Sequence, residues 1–282
     1  MERPLTMSDP RERRLNEIPR TLLREATEYL WQFTVGFLDV RKEKDKEDAV
    51  LLGSGVVVRA RNTYAFLTAD HVIDVLPKRG RLRLILSART EQTAIDVSGI
   101  QYLRIDRGTD DRAGPDLGAV LLSSEIASAI GAKKSFYSLD SRRDELLSRP
   151  PADNEGIWIA SGFVEELTRI DPTPDHYVKV KAFCNFGSVG GAQAYEAQEP
   201  YDYFQFPIES PEVGAPHDFG GVSGSGVWHV LINERQDKSL VIRKYLLQGI
   251  AYYQDAYVKG NSALRCHGTR SIYAAAYGKL AS

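Results

Sequence analysis

Between Phe219 and Trp228 the chain reads Phe-Gly-Gly-Val-Ser-Gly-Ser-Gly-Val-Trp, four glycines and two serines ahead of an apolar strand, and this run constrains it most. Glycine lets the backbone turn tightly and leaves room for another carbonyl to approach. A serine hydroxyl can accept an acyl group only where N–H groups also face the oxygen that becomes negative. Gly221 and Ser223 supply two such N–H groups, and Ser223 the hydroxyl. Ser225, also between glycines, ranks second as nucleophile.

Two upstream stretches complete a chemical set. Thr68-Ala69-Asp70-His71-Val72 presents an imidazole, and Pro115-Asp116-Leu117-Gly118-Ala119-Val120 presents a carboxylate at the start of an apolar strand. A carboxylate behind an imidazole fixes its tautomer and leaves the other ring nitrogen free to take the serine proton. Asp110 and Asp111 are fallbacks for the acid, but neither is followed by the apolar strand.

In these three contexts, in the order His, Asp, Ser, the chain resembles the trypsin-like (chymotrypsin-fold) serine proteases. Their motifs are T-A-x-H, a D-[IL]-A-like start of a strand, and G-x-S-G-x-P. The resemblance covers roughly residues 34–282. It implies an all-β fold with minor helices: two six-stranded antiparallel Greek-key β-barrels, preceded by a helical extension and closed by a C-terminal helix. It further implies a serine endopeptidase with His71, Asp116 and Ser223 as catalytic residues, Gly221 and Ser223 as oxyanion donors, and no cofactor or metal. A protein or peptide substrate would pair as an extended strand with Ala251, Tyr252 and Tyr253. His217, six residues before Ser223, stands where the family often has the floor of its primary specificity pocket. Ser225 replaces a family glycine, Gly226 a proline, and Asp70 a small residue, which reads as the N-cap of the turn holding His71. Val222 precedes the nucleophile where zymogen-type members carry an aspartate. Activation by a new N-terminus is therefore not expected, and a regulatory protein partner is.

Thirty-six basic against 38 acidic residues, a formal charge of −2 without a basic block, argue against nucleic acid or an anionic membrane as partner. Two cysteines, Cys184 and Cys266, and no apolar segment after the charged start predict a cytoplasmic chain with free thiols.

Along the chain, Leu22, Leu23, Ala26, Tyr29, Leu30 and Phe33 recur at helical spacing and predict a helix over about 17–32. The domain reading is an N-terminal helical extension over 1–33, a first barrel over 34–132, a linker over 133–155 around Pro150-Pro151, and a second barrel with its C-terminal helix over 156–282. Strands are predicted over 34–40, 49–59, 63–68, 81–86, 93–104, 117–122, 157–163, 176–186, 201–208, 226–232 and 240–253, and helices over 124–132 and 269–280. Two alternatives keep different chemistry. One is a double barrel that no longer cuts and binds a peptide along its groove; the other is an unrelated serine acyl hydrolase using Ser223, Asp255 and His267.

Overall fold

The computed structural model describes residues 3–4, 18–43, 46–86, 92–110, 112–151, 156–166, 168–172, 178–181, 185–188, 193–208, 219–256 and 262–282. His217, Cys184 and Asp111 lie outside these residues.

The chain order begins with β1 (Arg3–Pro4) and α1 (Arg20–Trp31). The Pro19 carbonyl starts α1 by accepting from the N–H groups of Leu22 and Leu23. Ile18, Leu22, Ala26, Leu30 and Phe33 are all buried, a stripe at nearly every fourth residue. Then come β2 (Thr34–Glu43), β3 (Lys46–Ala60) and β4 (Thr63–Thr68), the last two joined at Arg61, which adopts a left-handed φ of 50°. The short helix α2 (Asp70–Val75) follows, with β5 (Arg81–Ile85), β6 (Gln92–Asp96), β7 (Ile100–Arg107) and β8 (Asp116–Leu122). The strand expected over 93–104 is thus two strands, because Asp96 caps a 3-10 turn at Val97–Gly99 through the N–H of Ser98.

After α3 (Ser124–Gly131) and β9 (Tyr137–Ser138), α4 (Asp140–Ser148) occupies part of the stretch read as linker. Its one buried residue, Leu146, leaves almost no apolar periodicity to detect. The remaining strands are β10 (Ile157–Ser161), β11 (Arg169–Pro172), β12 (Val178–Lys181), β13 (Asn185–Ser188), β14 (Gln193–Gln198), β15 (Tyr201–Ile208), β16 (Gly226–Glu234), β17 (Leu240–Gln254) and β18 (Ser262–His267). A π-helical turn at Ser271–Ala276 leads into α5 (Tyr277–Leu280).

The fold is mostly β, with minor helices and a curled antiparallel sheet. One sheet runs β6-β5-β2-β3-β4-β8-β7 with β9 beside β3, and the other β13-β10-β16-β17-β18-β15-β14 with β1 beside β16. Among the described residues each has eight strands where six were expected, the short β1 and β9 being among the additions. β11 and β12 pair separately. No described helix is long and apolar enough to cross a membrane.

Strands β10 and β16 and the first five residues of β8 are buried on both faces, which explains their continuous apolar runs. Successive strand residues point to opposite faces. On β3, Val57 enters the core of the first sheet with Phe37, Phe66 and Val72, while Val56 and Val58 enter a second cluster shared with the other sheet. On β10, Trp158 and Ala160 join Phe204, Phe219 and Val222, whereas Ile157 and Ile159 enter the shared cluster. Helix α1 packs into that shared cluster through Leu22, Ala26 and Leu30, each leucine worth roughly 1.5–3 kcal/mol of burial. Tyr29 stacks on Tyr245 of β17 at 3.9 Å between ring centroids.

Candidate active site

Helix α2 and strand β8 hold the first pair. His71 is the second residue of α2, and Asp116, 1% exposed, is the first of β8. Asp116 Oδ1 accepts the His71 backbone N–H at 2.9 Å, and Oδ2 lies 2.5 Å from His71 Nδ1. Burial pushes the Asp116 carboxyl up, but the hydrogen bonds and charge of His71 outweigh it and hold the group below its usual range. An ionised carboxylate only accepts, so Nδ1 carries a proton, and in the neutral ring this tautomer leaves the lone pair on Nε2. Nε2 has no hydrogen-bond partner among the described residues, and the side chain is 34% exposed.

Asp70 is not the expected N-cap. Ala69 occupies that position without a side-chain bond, and Asp70 is fully buried as the first helical residue. Its Oδ2 lies 2.9 Å from Arg104 Nε and 3.7 Å from Arg107 Nη1, although neither carboxylate oxygen receives a well-angled hydrogen bond. Burial raises its carboxyl above the ordinary range despite the opposing effect of Arg104. Asp74, one turn on, pairs with the same two arginines, so both acids of α2 are tied to β7.

The Phe219–Ser225 segment is two successive turns, Val222 N–H donating to Phe219 O and Ser225 N–H to Val222 O. It is fixed from both sheets. From β17, Ala251 O accepts the Gly224 N–H at 2.7 Å and Ala251 N–H donates to Ser225 O at 2.9 Å. From β3, Ser54 N–H donates to Ser223 O at 2.8 Å, and Ser54 Oγ donates to Gly221 O at 2.7 Å while accepting from Phe163 N–H. Thr68 Oγ1 closes the set on Ser54 O at 2.7 Å. Ser54 is the residue that sequence reasoning missed. Its signal was slight, a buried serine inside Gly53-Ser54-Gly55, and its partner Gly221 lies 167 residues away.

Gly221 has φ +84°, a conformation that favours glycine, and a Cβ there would stand 2.2 Å from Leu51 Cδ2. Among the described residues the N–H groups of Gly221 and Ser223 donate to nothing. Ser223 is half-buried, and its Oγ makes no hydrogen bond to the His71 ring or to any described residue. The turn and α2 nevertheless meet at Gly53, where an added Cβ would contact Val72 at 2.8 Å and Ser223 O at 3.3 Å. Ser225, by contrast, is fully buried, with its Oγ unpartnered among the described residues and its Cβ against Gly162, so it cannot meet a substrate.

No family model matches the chain, and no curated protein does. Among solved structures it is similar to a chain from work on how aromatic interactions drive the coupled folding and binding of the intrinsically disordered Sesbania mosaic virus VPg protein. The two are 10% identical, with 86% of this chain and 88% of the other covered and a TM-score of 0.43. A likeness that slight carries no argument about function, which rests on the chain's own chemistry.

Of the residues expected to pair with a substrate, Ala251 is buried and has both backbone groups committed to the turn, so it drops out of that set. Tyr252 is buried, its hydroxyl donating to Arg112 O at 3.4 Å, and the Tyr253 ring lies within 6 Å of the guanidinium groups of both Arg112 and Arg265, at 5.7 and 5.8 Å. Asp255 and His267 are not brought together. Asp255 pairs with Arg265 at 2.8 Å, whereas His267 is fully buried and its Nε2 accepts the Asp116 N–H at 3.0 Å. The alternative set of Ser223, Asp255 and His267 is therefore not assembled. Among the described residues no group of three or more His, Cys, Asp or Glu could hold a metal ion. Cys266 is a free, buried thiol whose acidity burial suppresses.

Burial lowers the His267 pKa from 6.5 to about 4, against the opposing pull of Asp116. As pH falls below 6.5 the unfolded chain takes up this proton and the folded chain does not, so stability drops until the folded value is reached. At one pKa unit per 1.36 kcal/mol, the loss between pH 7 and pH 4.5 is about 2–3 kcal/mol. Asp116 keeps its contribution across this window, because its folded pKa lies below the unfolded 3.8. Asp70 acts in the opposite sense, its raised pKa letting the folded state bind a proton first. Urea midpoints at the two pH values should therefore separate much less in His267→Gln than in the native chain; equal separations would contradict the assignment.

Proposed function

We propose that the chain is a trypsin-like serine endopeptidase on two Greek-key β-barrels, with His71, Asp116 and Ser223 as its catalytic residues. The observation that carries this reading is the grip of Asp116 on both the ring and the backbone N–H of His71. That grip leaves Nε2 as the base. As Ser223 Oγ attacks the substrate carbonyl, its proton passes to His71 Nε2, and the carbonyl electron pair becomes an oxyanion received by the N–H groups of Gly221 and Ser223. Collapse expels the amine, which takes the proton from the imidazolium. Water then removes the acyl group by the same steps in reverse order of partners.

Substrate approach would bring Ser223 Oγ and His71 into hydrogen-bond contact, as catalytic bonds commonly tighten on binding. Val222 is 2% exposed in an apolar cluster with Phe219 and Trp158, which supports a switch other than an ion pair at that position. A protein partner is the proposed regulator, and an extended peptide lying along Tyr253, which is half-buried where Tyr252 is buried, the proposed substrate. The missing Ser223–His71 bond also favours a second reading, a silent double barrel that binds peptides without cutting.

Labelling with a serine-reactive fluorophosphonate separates the two. The native chain and Ser225→Ala should label within about tenfold of each other, while Ser223→Ala and His71→Ala lose at least about a thousandfold. Labelling that survives Ser223→Ala would remove the nucleophile from the proposal. A native chain that never labels, alone or with candidate partners, leaves the binding module.

A further inference from the structure

Resting on the hydrolase reading, we propose that His267 is a positioning residue: from the other sheet it holds the backbone of Asp116 in the place where its carboxylate can grip His71. His267 ends β18, and the bond from Asp116 N–H to its Nε2 crosses from the first sheet to the second at the first residue of β8. One residue thus has three anchored bonds in series. Its N–H is held by His267, one carboxylate oxygen by the His71 backbone and the other by the His71 ring.

The surroundings of His267 suit this task better than simple packing. Its ring is enclosed by Tyr201, Tyr203 and Tyr252, at centroid distances of 6.1, 5.2 and 4.8 Å, which restrains it from turning. Because Nε2 accepts, Nδ1 carries the hydrogen, and that atom is buried without a hydrogen-bond partner among the described residues. An unmet buried donor is a cost that a phenylalanine in the same space would avoid. What the imidazole alone provides there is an acceptor for Asp116. Protonation would replace that acceptor with a second donor, so the hold works only while the ring is neutral. Burial keeps it neutral near pH 7 although acidic groups act on it, Asp116 from β8, Asp106 from β7 and Asp202 from β15, while the rings of Tyr201 and Tyr203 on β15 and of Tyr252 on β17 pack around it.

The test compares His267→Phe, which fills the space without an acceptor, with His267→Gln, which restores an acceptor near the Nε2 position. Thermal melts first establish that each folds, with His267→Met replacing the phenylalanine variant if that does not. Two readouts follow: the maximal rate and half-saturating concentration of fluorophosphonate labelling, and the solvent exchange of the downfield His71 Nδ1 proton by NMR. In the apolar variant the maximal labelling rate should fall about 10- to 100-fold at an unchanged half-saturating concentration, with at least tenfold faster exchange of that proton. His267→Gln should recover both to within a few-fold. A folded apolar variant with native exchange at His71 overturns the proposal, as does the lack of a nitrogen–nitrogen coupling between Asp116 and His267 in the native chain. If the native chain does not label, alone or with candidate partners, while the NMR results come out as expected, the hydrolase reading fails and the positioning role stands.

Discussion

On the proposed hydrolase reading, Asp116→Asn should lower the rate of Ser223 acylation by roughly 10³–10⁴-fold, the scale of the same change in an established Ser-His-Asp site. The reason lies in the two bonds that one carboxylate makes. Its oxygens accept from the His71 ring and from the His71 backbone N–H at once, and an amide has only one oxygen to offer. If the amide oxygen faces the ring, its NH₂ confronts the backbone N–H. If the NH₂ faces the ring, Nδ1 must become an acceptor, and the proton moves to Nε2, where a base is needed. Either arrangement also leaves a mispaired group in a nearly buried site, so a stability loss of about 1–3 kcal/mol accompanies the kinetic one. Labelling kinetics and a urea titration on the same preparation measure both. A variant that labels within tenfold of the native rate would exclude Asp116 as the acid.

Gly224→Ala should be among the most destabilising single substitutions in the chain, at about 3–5 kcal/mol from backbone strain and overpacking together. Gly224 has φ +88°, and a Cβ there would stand 2.1 Å from both the Ser54 carbonyl oxygen and Thr68 Oγ1. Neither is the loose end of a flexible side chain. Ser54 O is backbone, and it accepts the Thr68 hydroxyl in the network that also fixes Ser223 O and Gly221 O. Relief can come only by moving the turn off β3 or off Ala251, so labelling at Ser223 should fall with stability. Gly278→Ala is the control. No atom lies within 4 Å of its Cβ position, and in α5 alanine should be neutral or favourable. A Gly224→Ala midpoint within 1 kcal/mol of native would show that the turn is not clamped as described.

Local chemistry made much of the element pattern legible. The stripe from Leu22 to Phe33 announces α1, the apolar runs announce β3, β4, β8, β10, β16 and β17, and the glycines between Phe219 and Gly226 announce the turns. Those signals are local, since helix and strand periodicity and the conformational freedom of glycine depend on near neighbours in the chain. Where burial decided, local reading failed. Asp70 reads as an N-cap and is a buried acid paired with Arg104; Ser225 ranks second as nucleophile and is fully buried. The short strand β18, with Leu264 and Cys266 inward and Ala263 and Arg265 less so, carried an alternation too brief to stand out.

The sequence by itself determined a mostly β chain, the helix ahead of its first long strands, and the three short contexts around His71, Asp116 and Ser223. Only the tertiary structure decided that Ser54 clamps the serine turn from β3 and that His267 stands behind Asp116 from β18. These bonds join residues 167 and 151 positions apart, and no periodicity or spacing rule reaches across such a separation. They exist because the two sheets pack their edges and turns together around shared apolar clusters, and packing rather than local propensity chooses which polar groups meet there.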